Sequence, residues 1–369
     1  MSSADLSTFA PVQTTTSGVH EAMNGSNNDW VRTPMDWQWW RIITLLLSLV
    51  GIVGNLLVML VLFRPRRSRP STDILIAGLA VADFFTSIFI CPLPEFERVP
   101  STLGAQFYCR IIFSHVFMWT SICASIFTLT TISVERLLAV RFPFTFKRLF
   151  TDQHTKLTLV LIWLFAALIN TASTYVTFIR DNKCVVEFST PQFQQFIGVF
   201  FFLVEYLLPV VAMITAHVLT IRSLNNRAQA LTTGKNRRKP DLKLLEARRR
   251  VVKMLFLVLV TFIICWTPDQ FGFLALSVGI VDFSHLNSPL YHTFVVLAFV
   301  NSCANPFIYA ARNVNFRTAL KELFRLPGQD GIKSKAVFAV PDDSSKTSTE
   351  MLDKSDTGAS SMDELDDPA

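Results

Sequence analysis

Charge is what this sequence lacks. Only 17% of its 369 residues are Asp, Glu, Lys or Arg, against roughly 25% in soluble domains. Hydrophobic residues make up 51%, Phe alone contributes 33, and the mean hydropathy is +0.39. A water-soluble fold would have to hide that excess in a very large core, and the uneven spread of charge along the chain argues against one. Chemical constellations are missing too. The chain shows no nucleophile–base pair, metal-ligand cluster or phosphate loop, and its six His residues are scattered, so an enzyme is not expected. No internal repeat is legible. Residues 1–35 hold no apolar core of the kind a cleavable signal needs, so the first long apolar run is expected to serve as an uncleaved anchor.

What is present is a set of seven apolar runs, over 42–63, 74–94, 111–140, 157–179, 196–220, 252–279 and 289–311. Each exceeds the roughly 20 residues that a helix needs to cross a bilayer core about 30 Å thick. They are continuous rather than alternating, which favours helices over barrel strands. The reading is an all-α, seven-transmembrane bundle over 41–312, with an outer tail over 1–40, an amphipathic helix over 313–327 and a disordered inner tail over 328–369.

Orientation follows from the positive-inside rule. Six of the 34 Lys and Arg (Arg32, Arg41, Arg98, Arg110, Arg180 and Lys183) fall on one side, and the other 28 lie opposite or in the tail. The N-terminus is therefore expected outside and the C-terminus in the cytoplasm. The pI of 9.1 is then an orientation signal and implies no nucleic acid. Asn24-Gly25-Ser26 is a glycosylation sequon on the outer side. Trp37, Trp39 and Trp40 fit an interfacial aromatic belt.

Residues Asn225–Pro240 are polar and basic and read as a mobile inner loop. After the seventh run, Phe316, Leu320, Leu323 and Phe324 share one helical face beside Arg317, Lys321 and Arg325, the pattern of a helix lying on the membrane surface; Pro327-Gly328 ends it. From Pro341 the tail is acidic and rich in Ser and Thr. Ser344, Ser345, Thr347, Ser348 and Thr349 are either a solvated stretch or a phosphorylation cluster that would attract a basic partner.

Polar groups inside a membrane are costly, so each one is a candidate for function. Asn55 and Asp83 sit mid-span, and Asn301 and Asn305 share a face of the seventh helix. They make either a helix-packing network or a cation site of one carboxylate and neutral oxygens. Glu135-Arg136-Leu137 stands at the inner end of the third run. Cys265-Trp266-Thr267-Pro268 and Asn305-Pro306-Phe307-Ile308-Tyr309 each place a helix-breaking proline beside polar groups. Two kinked helices around a polar core suit a protein that switches between packings.

With these motifs in order along roughly residues 40–326, joined by Trp163 and Pro209, the chain resembles a class A (rhodopsin-like) G-protein-coupled receptor. The resemblance implies a plasma-membrane receptor for an extracellular ligand, coupled to a heterotrimeric G protein, with a receptor kinase and arrestin acting on the tail and lipid around the bundle. It implies a sodium ion (Na+) at Asp83, Ser125, Asn301 and Asn305. Trp266 would be a toggle below the ligand. Pro209, Ile126 and Phe262, with the kink at Pro268, would transmit its motion. Arg136 would meet the G protein, Phe144 would insert into it, and Tyr309 would turn inward beside Pro306. Cys109 and Cys184 would form a disulfide, while Cys91, Cys123, Cys265 and Cys303 stay reduced.

Departures accompany the match. Leu137 replaces a Tyr, His217 stands where the fifth helix usually carries an inner Tyr, and position 248 holds Arg rather than an acid that could lock Arg136. The stretch from Cys109 to Arg136 is about two residues longer than usual. No Lys occurs in 289–311, which disfavours a retinal protein, and Met118 replaces the acid of amine receptors. Glu205, Asp269, Gln270, Tyr291 and His292 remain for an outer pocket. With Glu95, Glu97, Asp181, Glu187 and Asp282 on the rim, they suit a peptide carrying a basic group. The runners-up are an orphan or constitutively active receptor, and a transporter or channel, which ion flux without a G-protein response would reveal.

Overall fold

The computed structural model describes residues 29–64, 70–233, 239–282, 288–324 and Val337. The sequon at Asn24 and the tail sites Ser344, Ser345, Thr347, Ser348 and Thr349 lie outside the described residues.

Among the described residues, seven helices are long and apolar enough to cross a membrane: α1 (Trp39–Leu62), α2 (Ser71–Phe89), α3 (Leu103–Arg141), α4 (Asp152–Val176), α5 (Pro191–Ala230), α6 (Leu245–Ser277) and α7 (Pro289–Arg312). A short helix, Pro143–Leu149, follows α3, and α8 (Val314–Leu323) follows α7. Helices α2 and α3 are largely buried, whereas α4 turns Leu157, Leu161, Leu164 and Leu168 outward. Helix α1 packs on α2 and α7, α3 on α2, α4 and α5, and α6 on α5 and α7. In lipid such contacts rest on close approach and buried hydrogen bonds rather than on hydrophobic drive. At Gly51 a Cβ would come within 2.1 Å of Ser87 Oγ and 3.1 Å of Cys303 Sγ. Beside it Ser48 donates to the Ser87 carbonyl at 2.6 Å.

The ends depart from the sequence reading in several places. Helix α3 starts eight residues before the expected 111, and its upper part is irregular. Tyr108–Phe113 is a π-helical turn, and His115 has left-handed backbone, φ 52°. The wider turn and the reversed residue absorb the extra length between Cys109 and Arg136. Residues 225–233, expected in a mobile loop, continue α5 as helix to Thr233. The reason is apolar: Leu224 and Ala228, one turn apart, pack with Val140, Leu245 and Val252. Phe324 does not join the buried face of α8. It lies past the helix end and is exposed, while Phe316 is buried and Leu320 and Leu323 pack on the core.

Two small hairpins cap the outer end. β1 (Val31–Arg32) pairs with β2 (Phe96–Arg98), so the segment before α1 folds back on the loop between α2 and α3. β3 (Thr177–Arg180) pairs with β4 (Lys183–Val186) through Asp181 and Asn182, both at positive φ. That is the two-residue turn matching strand twist. The Cys109–Cys184 disulfide ties this hairpin to α3.

Candidate functional site

At the inner end, Glu135 is fully buried and its carboxylate is crowded with donors. Ser71 Oγ donates to Oε1 at 2.8 Å and Thr72 Oγ1 at 2.9 Å, and Arg136 pairs with both oxygens. Arg136 also reaches Thr72 Oγ1. A buried carboxylate is tolerable only when so satisfied, and here the arginine is held sideways against α2. Tyr309 is buried, its ring 6.2 Å edge-on from Phe316 of α8. His217 Nδ1 donates to the Met213 carbonyl of its own helix at 2.9 Å. Its ring therefore serves α5 rather than α7. Phe144 stands out on the short inner helix at 90% exposure, an apolar group offered to whatever meets this face.

At mid-bundle, Asp83 is fully buried. Ser125 donates to Oδ1 at 2.7 Å and Asn305 to Oδ2 at 2.8 Å, with Ser302 alongside. Asn55 Nδ2 donates to the Gly51 and Ser302 carbonyls at 3.0 and 2.9 Å. The side-chain amide oxygens of Asn55, Asn301 and Asn305 are all buried without a hydrogen-bond partner. Buried acceptors left unmet are costly. One carboxylate, a hydroxyl and several orphaned neutral oxygens form a donor set suited to a hard monovalent cation.

Between this layer and the outer pocket lie Trp266, Phe262, Ile126 and Pro209, all buried. Thr267 donates back to the Ile263 carbonyl one turn earlier, and Tyr206 Oη, 2.5 Å away, then donates to Thr267 Oγ1. A threonine bonding into the turn beside Pro268 bends α6 where the proline has already removed a backbone bond. Sequence reasoning missed the Tyr206–Thr267 link, since neither residue stands out in an apolar run.

The outer layer divides the predicted pocket residues. Asp269 and Gln270 are buried on α6, and Asp269 faces Tyr291 of α7. Met118 is buried on α3. Val186, the last residue of β4, and Phe188 just beyond it pack with Leu276 and Tyr291 and so cover the α6–α7 side. Glu205 sits in a π-helical turn of α5 (Phe202–Leu207) and faces Cys123 and Asn170, with Oε1 buried and unpartnered. Its neighbours are thus α3 and α4. His292 stacks on Trp40 at 4.6 Å, and the buried Arg41 lies over the same indole at 5.0 Å. Of the rim acids, Glu187 is paired with Arg180 at 2.6 Å. Glu95 has Oε2 buried without a hydrogen-bond partner; burial pushes its carboxyl above the ordinary glutamate value and nearby Arg41 opposes the rise.

Comparison with known proteins adds to this geometry. Residues 54–309 match the family described as "7 transmembrane receptor (rhodopsin family)". Galanin receptor 2b of Danio rerio is 30% identical over 285 residues, 76% of this chain and 73% of that one. Galanin receptor type 2 of Homo sapiens is 28% identical, over 77% of this chain and 73% of its own. The allatostatin-A receptor of Bombyx mori is 27% identical, over 76% and 78%.

Proposed function

The chain belongs to the rhodopsin family of seven-transmembrane receptors, as a multi-pass, ligand-binding G-protein-coupled receptor, and from that premise we propose that its ligand is an extracellular peptide with a basic group. The observation that carries this is a pair of acids, the buried Asp269 beside Tyr291 and the half-buried Glu95 with its orphaned Oε2. Relatives named as galanin and allatostatin-A receptors support a peptide. The receptor sits in the plasma membrane with its N-terminus outside. Its tail sites are substrates for a receptor kinase and, once phosphorylated, bind arrestin. The closed Glu135–Arg136 pair is the resting state. Ligand binding above Trp266 opens α6 and frees Arg136 for the G protein.

The test is a panel of Gα-activation sensors in cells expressing the chain, challenged with peptide, amine and lipid libraries. A peptide response absent from Arg136→Ala, and weakened at least tenfold in potency (about 1.4 kcal/mol) by Asp269→Asn, is expected. Unchanged potency in both Asp269→Asn and Glu95→Gln would rule out a basic contact.

We also propose sodium at Asp83, with Ser125, Asn301 and Asn305 as further oxygen donors. The ion would supply positive charge that holds the closed packing. At tenfold excess over its dissociation constant it contributes about 1.4 kcal/mol of stability. Replacing choline by sodium should raise the melting temperature of purified receptor by a few degrees, and Asp83→Asn should abolish that rise. An equal rise in Asp83→Asn would remove the carboxylate from the site.

A further inference from the structure

One residue of the C-terminal tail, Val337, lies inside the bundle. It is 2% exposed and belongs to the main hydrophobic core. Its backbone N–H donates to Asp73 Oδ2 at 3.1 Å, and its carbonyl accepts from Asn313 Nδ2 at 3.1 Å. Asp73 is buried in the first turn of α2, next to the Ser71 and Thr72 that hold Glu135. Asn313 is the corner residue between α7 and α8, and its other side-chain atom caps α8 at Phe316 N.

Both main-chain groups of Val337 are thus satisfied by side chains from opposite walls of one cleft, while the side chain fills its apolar floor. The local sequence suits this. Ala336-Val337-Phe338-Ala339-Val340 is an apolar run between Lys335 and Pro341, after which the tail is acidic and polar. Twelve residues separate Phe324 from Val337, and an extended chain of that length reaches about 40 Å, ample to return from the end of α8. Three consecutive residues of α2 therefore serve two contacts: Ser71 and Thr72 the arginine lock, Asp73 the tail.

We infer that the inner-face cleft between the start of α2 and the α7–α8 corner is a docking site for the chain's own tail at Val337, and that this occupant competes with the G protein. The competition rests on the receptor reading above; the docking does not. It supplies a restraint in a receptor that has Arg248 where an acid could have locked Arg136.

Full-length receptor in lipid nanodiscs tests both parts. A photoreactive phenylalanine at position 338, next to Val337, should cross-link to peptides of α2 or the α7–α8 corner, and the cross-link should vanish with Val337→Asp. No cross-link in the otherwise unaltered chain would overturn the docking. Ligand-free nucleotide exchange on a panel of purified Gα subunits, with no arrestin or kinase present, reads the competition. Val337→Asp, or a chain stopped after residue 330, should raise exchange about tenfold, the scale set by one buried Val side chain. A chain stopped after residue 340 should match the full length. Exchange unchanged by Val337→Asp, with the cross-link lost, would overturn the competition. Silence of every variant with every Gα would overturn the coupling reading and the competition with it, while the cross-link would still decide the docking.

Discussion

At the scale of single residues, the sequence exposed the groups whose polarity clashes with an apolar run. Asp83, Asn301, Asn305, Glu135 and Arg136 stood out for that reason; the fold joins Asp83 to Asn305 and Glu135 to Arg136, and buries Asn301 with its amide oxygen unmet. Thr72, Tyr206 and Asp73 were not legible, nor was the link from Tyr206 to Thr267, because each is unremarkable until its partner on another helix is known. Glu95 shows what position adds. It reads as one rim acid among several, yet its environment raises its proton affinity above the ordinary value of 4.5. A carboxyl whose folded pKa is raised favours the fold below its unfolded pKa, and that favour is lost as pH rises through the folded value. The stability of the natural chain relative to Glu95→Gln should therefore fall from acid to neutral pH, measured as paired melting temperatures. A natural chain that gains stability over Glu95→Gln as pH rises would mean the charged carboxylate is the stabilised form.

At the scale of elements, hydrophobic runs located every span but not its ends. The polar stretch after Arg222 hid two more turns of α5, because only the spacing of Leu224 and Ala228 marks them and their partners lie on α3 and α6. The hairpin turn at Asp181-Asn182 was likewise available in residue type but needed the paired strands to give it meaning. Helix contact at α1 depends on the missing side chain of Gly51. Ser87 Oγ, which a Cβ there would strike, is held by a bond to the Asp83 carbonyl at 2.7 Å. Gly51→Ala should then cost about 1–3 kcal/mol of stability by overpacking, seen as a melting temperature several degrees lower in detergent. A change under one degree would show that Ser87 can turn aside freely.

At the scale of the whole molecule, the resting state is a balance between the arginine lock and whatever opens it. Hydrogen bonds to a charged group contribute about 1.5–3 kcal/mol each. Ser71→Ala with Thr72→Ala should accordingly raise ligand-independent G-protein activation by at least about tenfold without loss of surface expression, compared in the same sensor cells. Unaltered basal signalling would place the restraint elsewhere. The bundle's architecture was legible because seven apolar runs leave few alternatives; its outer caps and the tail at Val337 were not, since they depend on contacts between distant segments. The irregular upper α3 has a bearing on how the two ends of that helix are set against each other. Two residues added to a regular helix would turn everything beyond them by about 200°. Here the π-helical turn and His115 take up the surplus between the disulfide and the lower helix. Cys109 and Arg136, one on each side of that irregular stretch, thus each face their own partner, Cys184 and Glu135.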